Sequence, residues 1–167
     1  MPYATPSDLI AWYGAVEMAQ RGASDHLDVV DADLLLATVE GGDRSGWTQE
    51  RQDAADEALG RMDAALLMAT REMGVYLSGR YTLPIDAAVV ADSALPRICG
   101  DLARWFLYDD GAPPHIGDRY DRANKVLRDI QAGRADLGGA SAPSGSGAGM
   151  PVVGVGSGSA FSGMDRF

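Results

Sequence analysis

The sequence predicts a mainly α-helical protein, a small bundle of about four helices followed by a long extended C-terminal arm. Three observations carry that expectation. Apolar residues recur at steps of three and four in several separate stretches of the first 133 residues. Hydrophobic residues make up 46% of the 167, enough to build a core and too many for global disorder. After Gly133 the composition changes abruptly to Gly, Ser, Ala and Pro. We therefore divide the chain into a helical body (1–133, with an irregular insert at 23–47) and a Gly/Ser-rich arm (134–167).

The first element opens with "TPSDLIAWYGAV": Thr5 can cap, Pro6 suits the first helical position, and Asp8 stands three residues after the cap. Leu9, Tyr13 and Val16, with Trp12 alongside, then predict one helix from about Pro6 to Gln20, ended by Gly22. Residues 23–47 mix acidic residues with two short apolar runs and a Gly-Gly turn signal. A short helix at "DADLLLATVE" and a hairpin both fit this stretch, and the helix is preferred. From Thr48, a second potential cap, Ala55, Leu59, Met62, Leu66, Ala69, Met73 and Leu77 define an amphipathic helix of about 30 residues, roughly 45 Å long. Gly60 and Gly74 weaken that helix or admit a neighbouring backbone, and Gly79 and Pro84 end it. A third helix runs from about Ser93 to Tyr108, with Pro96 in its first turn and Leu95, Ile98, Leu102 and Phe106 as its stripe. A fourth, "HIGDRYDRANKVLRDIQAG", aligns Ile116, Tyr120, Ala123, Leu127 and Ile130 and ends at Gly133. Asp118 with Arg122, and Asp121 with Lys125, have i,i+4 spacing on its wet side.

The formal net charge is −10, and all of it lies before residue 134, since Arg134 and Arg166 cancel Asp136 and Asp165. That balance argues against a protein held on nucleic acid by Lys and Arg. The single cysteine, Cys99, allows no internal disulfide and no zinc cluster, and its setting on a helix face reads as a buried small hydrophobe. "MPYATPSDL" lacks the basic and apolar regions of a signal peptide, and the longest apolar run, "AALLMA", is too short to cross a bilayer. The expectation is a protein without membrane contact, kept in a reducing compartment.

Few residues suggest chemistry. "GVGSGS" lacks the Lys-Ser/Thr and the strand-to-helix setting of a phosphate loop. Asp25, Asp28, Asp31 and Asp33 could hold calcium by oxygen count, but they miss the EF-hand spacing, so they read as a solvated loop. His26 and His115 stand far apart without metal-ligand or catalytic partners. The expectation is a non-enzyme with no catalytic, cofactor-binding or metal-binding residues. Trp12, Tyr13, Trp105, Phe106 and Tyr108 read mainly as core, with Trp105 and Tyr108, flanking the main stripe, as candidates for contact with a neighbouring subunit.

Four stretches resemble a known family. "YATPSDLIAWYG", "YLSGRYTLPI", "ICGDLARWFLYDD" and "RYDRANKVLRDIQAGRADLG" are similar, in order and spacing, to the Mu-type bacteriophage neck proteins. The likeness covers roughly residues 2–22 and 70–138. Residues 25–47 and the longer, more glycine-rich tail depart from that pattern. Such proteins are similar to the head–tail connectors, or adaptors, of long-tailed phages. The resemblance implies a helical bundle assembled as a homo-oligomeric ring of about twelve copies in the virion neck, built in the host cytoplasm. It further implies a C-terminal arm that docks on the phage portal protein, a stopper or other tail-side neck protein below, and DNA passing through without specific binding.

The arm's composition suits that role. Glycines permit close backbone approach, and "PVVGV" can add a strand to an exposed edge, with Pro151, Val152, Val153 and Val155 in the contact. Phe161, Met164, Arg166 and Phe167 then act as anchors, and multiple arms on one ring add by effective concentration. An acidic body would line a DNA passage with like charge. Two other readings are weaker. A stopper or tail-terminator protein would be built around β-structure. A DNA-binding regulator needs a basic recognition helix, whereas Arg119, Arg122, Lys125, Arg128 and Arg134 are largely offset by Asp118, Asp121, Asp129 and Asp136.

Overall fold

The structure is a computed structural model that describes residues 2–23, 30–108 and 111–137. Among the described residues the chain forms seven helices and no strand. They are α1 (Pro6–Tyr13), α2 (Ala15–Gly22), α3 (Ala32–Glu40), α4 (Gln49–Leu77), α5 (Ala87–Asp92), α6 (Leu95–Leu107) and α7 (Pro114–Gln131). The mainly α-helical class expected from the sequence is the one observed.

The long helix is the axis of the bundle. α4 has 29 residues and packs against α6 most extensively, with α3, α2 and α7 around it. Its buried positions are Ala55, Ala58, Met62, Ala65, Leu66, Ala69, Met73 and Leu77, the expected stripe widened by two further alanines, while Leu59 is only partly covered. Small residues set the closest approach, though not the expected ones. No neighbour lies within 4 Å of a Cβ added at Gly60, and at Gly74 only the Leu83 side chain comes as near as 3.8 Å. At Gly22 of α2, in contrast, an added Cβ would stand 2.9 Å from the Ala58 Cβ. Glycine is needed there because two helices cross in van der Waals contact.

The single helix expected over Pro6–Gln20 is two. Thr5 and Asp8 form the expected capping box, the Asp8 carboxylate accepting from the Thr5 N–H at 2.8 Å and Thr5 Oγ1 accepting from the Asp8 N–H at 3.3 Å. The break is at Gly14, whose φ of 92° lies where only glycine is comfortable. The bend takes Val16 off the Leu9 stripe and leaves it 62% exposed, while Met18 and Ala19 become the buried residues of α2.

The preferred helix in the insert exists. Asp31 caps α3 by accepting from the backbone N–H groups of Asp33 and Leu34 at 2.9 and 3.0 Å, and Gly41 closes it in the left-handed conformation. α5 is an element the sequence did not predict. It is six residues long and none of them is buried, so it leaves no stripe to read. α6 and α7 follow their expected spans. Cys99 is fully buried, with its Sγ 3.6 Å from Thr70 Oγ1. Asn124, on the inner face of α7, is buried as well. The i,i+4 pairs Asp118–Arg122 and Asp121–Lys125 are not among the ion pairs of the described residues. Arg119 reaches to Asp101 on α6 instead.

The packed residues run beyond the expected boundary. Gly133 turns the chain after α7 with φ of 75°. Leu137 then returns to the core at 9% exposure, its N–H donating to Tyr81 Oη at 3.2 Å. Tyr81 in turn donates to Asp136 at 2.9 Å, and Arg80 Nη1 donates to the Ile130 carbonyl at the end of α7. Leu137, the last of the described residues, is therefore held beside the C-terminal end of α4.

Candidate interaction surface

The residues expected to anchor the arm, Pro151, Val152, Val153, Val155, Phe161, Met164, Arg166 and Phe167, lie outside the described residues. Trp105 and Tyr108 are described, and both are half-buried at the flank of the α6 stripe. Trp105 stacks on Tyr120 of α7 with ring centroids 5.1 Å apart and an interplanar angle of 26°. Tyr108 donates to Glu17 Oε1 at 2.9 Å, and the Arg21 guanidinium sits 4.2 Å from its ring centre. Each thus has partners within its own chain, with part of its surface left open.

Around Tyr108 the structure assembles a polar and aromatic seam joining α1 and α2 to α6. Arg104 is 8% exposed and grips Glu17 through two hydrogen bonds, Nε to Oε1 at 2.6 Å and Nη2 to Oε2 at 2.7 Å. The same guanidinium lies 4.5 Å from the Tyr13 ring centre. Burial works against its charge. The Glu17 hydrogen bonds and carboxylate outweigh that and hold its pKa above the ordinary value. Tyr13 donates to Asp101 at 2.9 Å. Burial first, then the Asp101 carboxylate, push its phenol well above the usual tyrosine range, against the opposing pull of Arg97 and Arg104.

Beyond this seam the outer face of α6 meets α7 in a shallow groove of about 240 Å³. Its rim carries Arg97, Arg119 and Arg122 with Asp101 between them, and Ile98 and Val126 supply apolar floor and wall. Arg97 lies 5.0 Å from the ring centres of both Trp12 and Tyr13, which holds its guanidinium at the groove mouth. Arg122 is exposed and Val126 is 36% exposed. In a chain of net charge −10, three arginines converging on one groove form a distinct basic surface. The sequence offered one clue to it, the run of arginines in α7, which averaged out against neighbouring aspartates. Only the fold brings Arg97 to join Arg119 and Arg122.

The acidic and histidine candidates resolve into local roles where they are described. Asp31 is the cap of α3, Asp33 lies in its first turn, and His115 is exposed at the start of α7. Asp25, His26 and Asp28 lie outside the described residues. Among the described residues no group of three or more His, Cys, Asp or Glu side chains could hold a metal ion. No helix among them is long and apolar enough to cross a membrane.

Comparison with known proteins places these features in a lineage. The Mu-like prophage FluMu protein gp36 of Haemophilus influenzae is 32% identical over 92 residues, covering 55% of this chain and 61% of that protein. The matched region is thus under two thirds of the relative's own length. A family model described as Bacteriophage Mu, Gp36 matches residues 3–152, which takes in the whole helical body, the insert at 25–47 and the first part of the arm. A match over that much of the sequence identifies the lineage, and the chain belongs to the bacteriophage Mu Gp36 family.

Proposed function

We propose that this protein is a structural component of the virion, a head–tail connector (adaptor) whose subunits form a ring of about twelve copies between the portal and the tail-side neck proteins. The observation that carries the reading is the Mu Gp36 family match, which runs from residue 3 through the helical body and into the arm at residue 152. The helical architecture supports it against a stopper or terminator built on β-structure. The charge pattern supports it against a DNA-binding regulator: Arg119 and Arg134 of the candidate basic stretch are engaged by Asp101 and Asp129, and the body as a whole is acidic. In this reading DNA passes the ring without adsorbing, because like charge lines its path.

The arm beyond Leu137 is the coupling element. Its valines (Val152, Val153, Val155) add to an edge of the portal, and Phe161, Met164 and Phe167 fill pockets, with Arg166 available for an acidic contact. The uncovered faces of Trp105 and Tyr108 lie against the adjacent subunit.

The test compares the full chain with a version cut after Leu137, so that the buried Leu137 and its bond to Tyr81 are kept. Each is mixed with isolated portal rings, and complex mass is read by native mass spectrometry. A ring of full-length subunits on the portal, absent for the shortened chain, is the expected outcome. Equal binding by both assigns the arm elsewhere, and binding by neither removes the connector reading.

A further inference from the structure

The outer face of α4 carries a stripe that stands exposed among the described residues. Glu50, Asp53, Glu57, Gly60, Ala64, Leu67, Arg71 and Val75 follow one another at steps of three and four, and all of them are exposed. The stripe is acidic in its N-terminal half and mainly apolar in its C-terminal half, where Leu67 is 41%, Met68 50% and Val75 69% exposed. Such apolar exposure along a helix that is otherwise the core of the bundle marks a contact surface.

The groove between α6 and α7 is its complement. Along α7, Arg119 and Arg122 precede Val126, so it is basic first and apolar next, in the same chain direction as the α4 stripe is acidic first and apolar next. The two surfaces also lie on opposite sides of the molecule. Cys99 of α6 touches Leu66 and Thr70 of α4. At about 100° per residue, Arg97 and Asp101 stand roughly 160° around α6 from Cys99, and the α4 stripe stands roughly 100–200° around α4 from Leu66.

We propose that the α4 stripe of one copy docks in the α6–α7 groove of the next, with the two helices parallel, so that Asp53 and Glu57 meet Arg119 and Arg122, and Ala64 meets Val126. The contact rests on the ring reading above and specifies its surfaces. Two unlike patches on opposite sides make a head-to-tail contact, which closes into a ring or continues as a filament and cannot stop at a two-fold dimer. The 18 residues of α7 can cover about 26 Å of the stripe, which at about 10 Å wide is about 260 Å², a third of the ~800 Å² per partner of a stable pair. A single contact is therefore weak, and closure, in which each copy makes two, gives the assembly its strength.

Cross-linking tests this. Ala64→Cys and Val126→Cys are placed together in the full chain, at exposed positions, while the native Cys99 is buried. Concentrated protein is treated with a short bis-maleimide. The double variant is expected to give a ladder of covalent multimers, and each single variant to remain monomeric. Adding Glu57→Arg should weaken the ladder at least tenfold, and adding Arg122→Glu to that chain should restore it. A double variant that stays monomeric overturns the proposal, and so does a dimer from Ala64→Cys alone, which would pair α4 with α4. A ladder without portal binding keeps the contact and removes the connector reading. Rings on the portal that survive Glu57→Arg, with no ladder in solution, keep the reading and remove the contact.

Discussion

Arg104 on α6 and Glu17 on α2 are 87 residues apart in sequence and meet through a two-pronged ion pair, with side-chain exposures of 10% and 22%. This pair, with Tyr108 on the same carboxylate, fastens the N-terminal helices to the α6 face that also forms the groove. A buried guanidinium that loses its partner keeps its desolvation penalty. Glu17→Ala should therefore lower stability by about 3 kcal/mol. Replacing both residues with apolar ones of similar size (Glu17→Leu with Arg104→Met) should recover most of that loss. Urea unfolding midpoints of the two single variants and the double variant decide it, and an additive double variant would show that the pair acts as two independent surface charges.

Gly100 is the second long-range joint. A Cβ there would lie 2.6 and 2.8 Å from two ring carbons of Trp12, so the indole lies directly on the α6 backbone. Gly100→Ala gains up to about 1 kcal/mol of helix propensity but must displace a ring wedged between helices, at about 1–3 kcal/mol. Net destabilisation is expected. Gly60→Ala, in the interior of α4 with open space around it, should instead stabilise by about 0.5–1 kcal/mol. Thermal melts of the two variants should move in opposite directions, and a shift of the same sign in both would contradict the packing described.

These two joints show where sequence reading reaches its limit. α4, α6 and α7 were legible because each buries a stripe of several turns, and the 3.6-residue period survives in the residue order. The Thr5–Asp8 box was legible as a local motif, whereas Asp31, read as part of a solvated acidic loop, turns out to cap α3. α5 buries nothing and left no period. Gly14 fell inside the single helix expected over Pro6–Gln20, because a residue's φ is set by what the chain must do around it. The groove, too, was hidden: Arg97 and Arg119 are brought together only by the packing of α6 on α7. What the sequence did signal was the flank, since Trp105 and Tyr108 stood off the main stripe and prove half-buried on the side of α6 that faces the seam and the groove.

The break at Gly14 carries its own expectation. With φ of 92° and an open environment, a side chain at this position meets no steric contact but pays backbone strain. Gly14→Ala should therefore destabilise by about 1 kcal/mol or slightly more. The loss should be close to that of Gly14→Ser, since the strain depends on having a Cβ and little on its substituents. Denaturant midpoints of both variants test this, and an unchanged midpoint would mean that α1 and α2 can form one continuous helix.

Alkaline stability follows from the buried phenols. Burial is the leading cause raising the pKa of Tyr3, Tyr13, Tyr81 and Tyr120, and it raises the Cys99 thiol as well. When the folded pKa lies above the unfolded one, the unfolded chain loses its proton first as pH rises. The stabilisation is then complete below the unfolded value and declines above it. The decline should begin near the ordinary thiol range, at about pH 8.5, and steepen above about pH 10, where unfolded tyrosines ionise. Tyr13 should contribute most, because its hydroxyl donates to the Asp101 carboxylate and ionisation would set two negative charges 2.9 Å apart. Tyr13→Phe should lower stability at neutral pH by about 1–2 kcal/mol through the lost hydrogen bond and flatten the alkaline slope. Urea midpoints taken from about pH 7 to about pH 11 measure both effects, and an alkaline slope unchanged in Tyr13→Phe would place the responsible ionisation at another tyrosine or at Cys99.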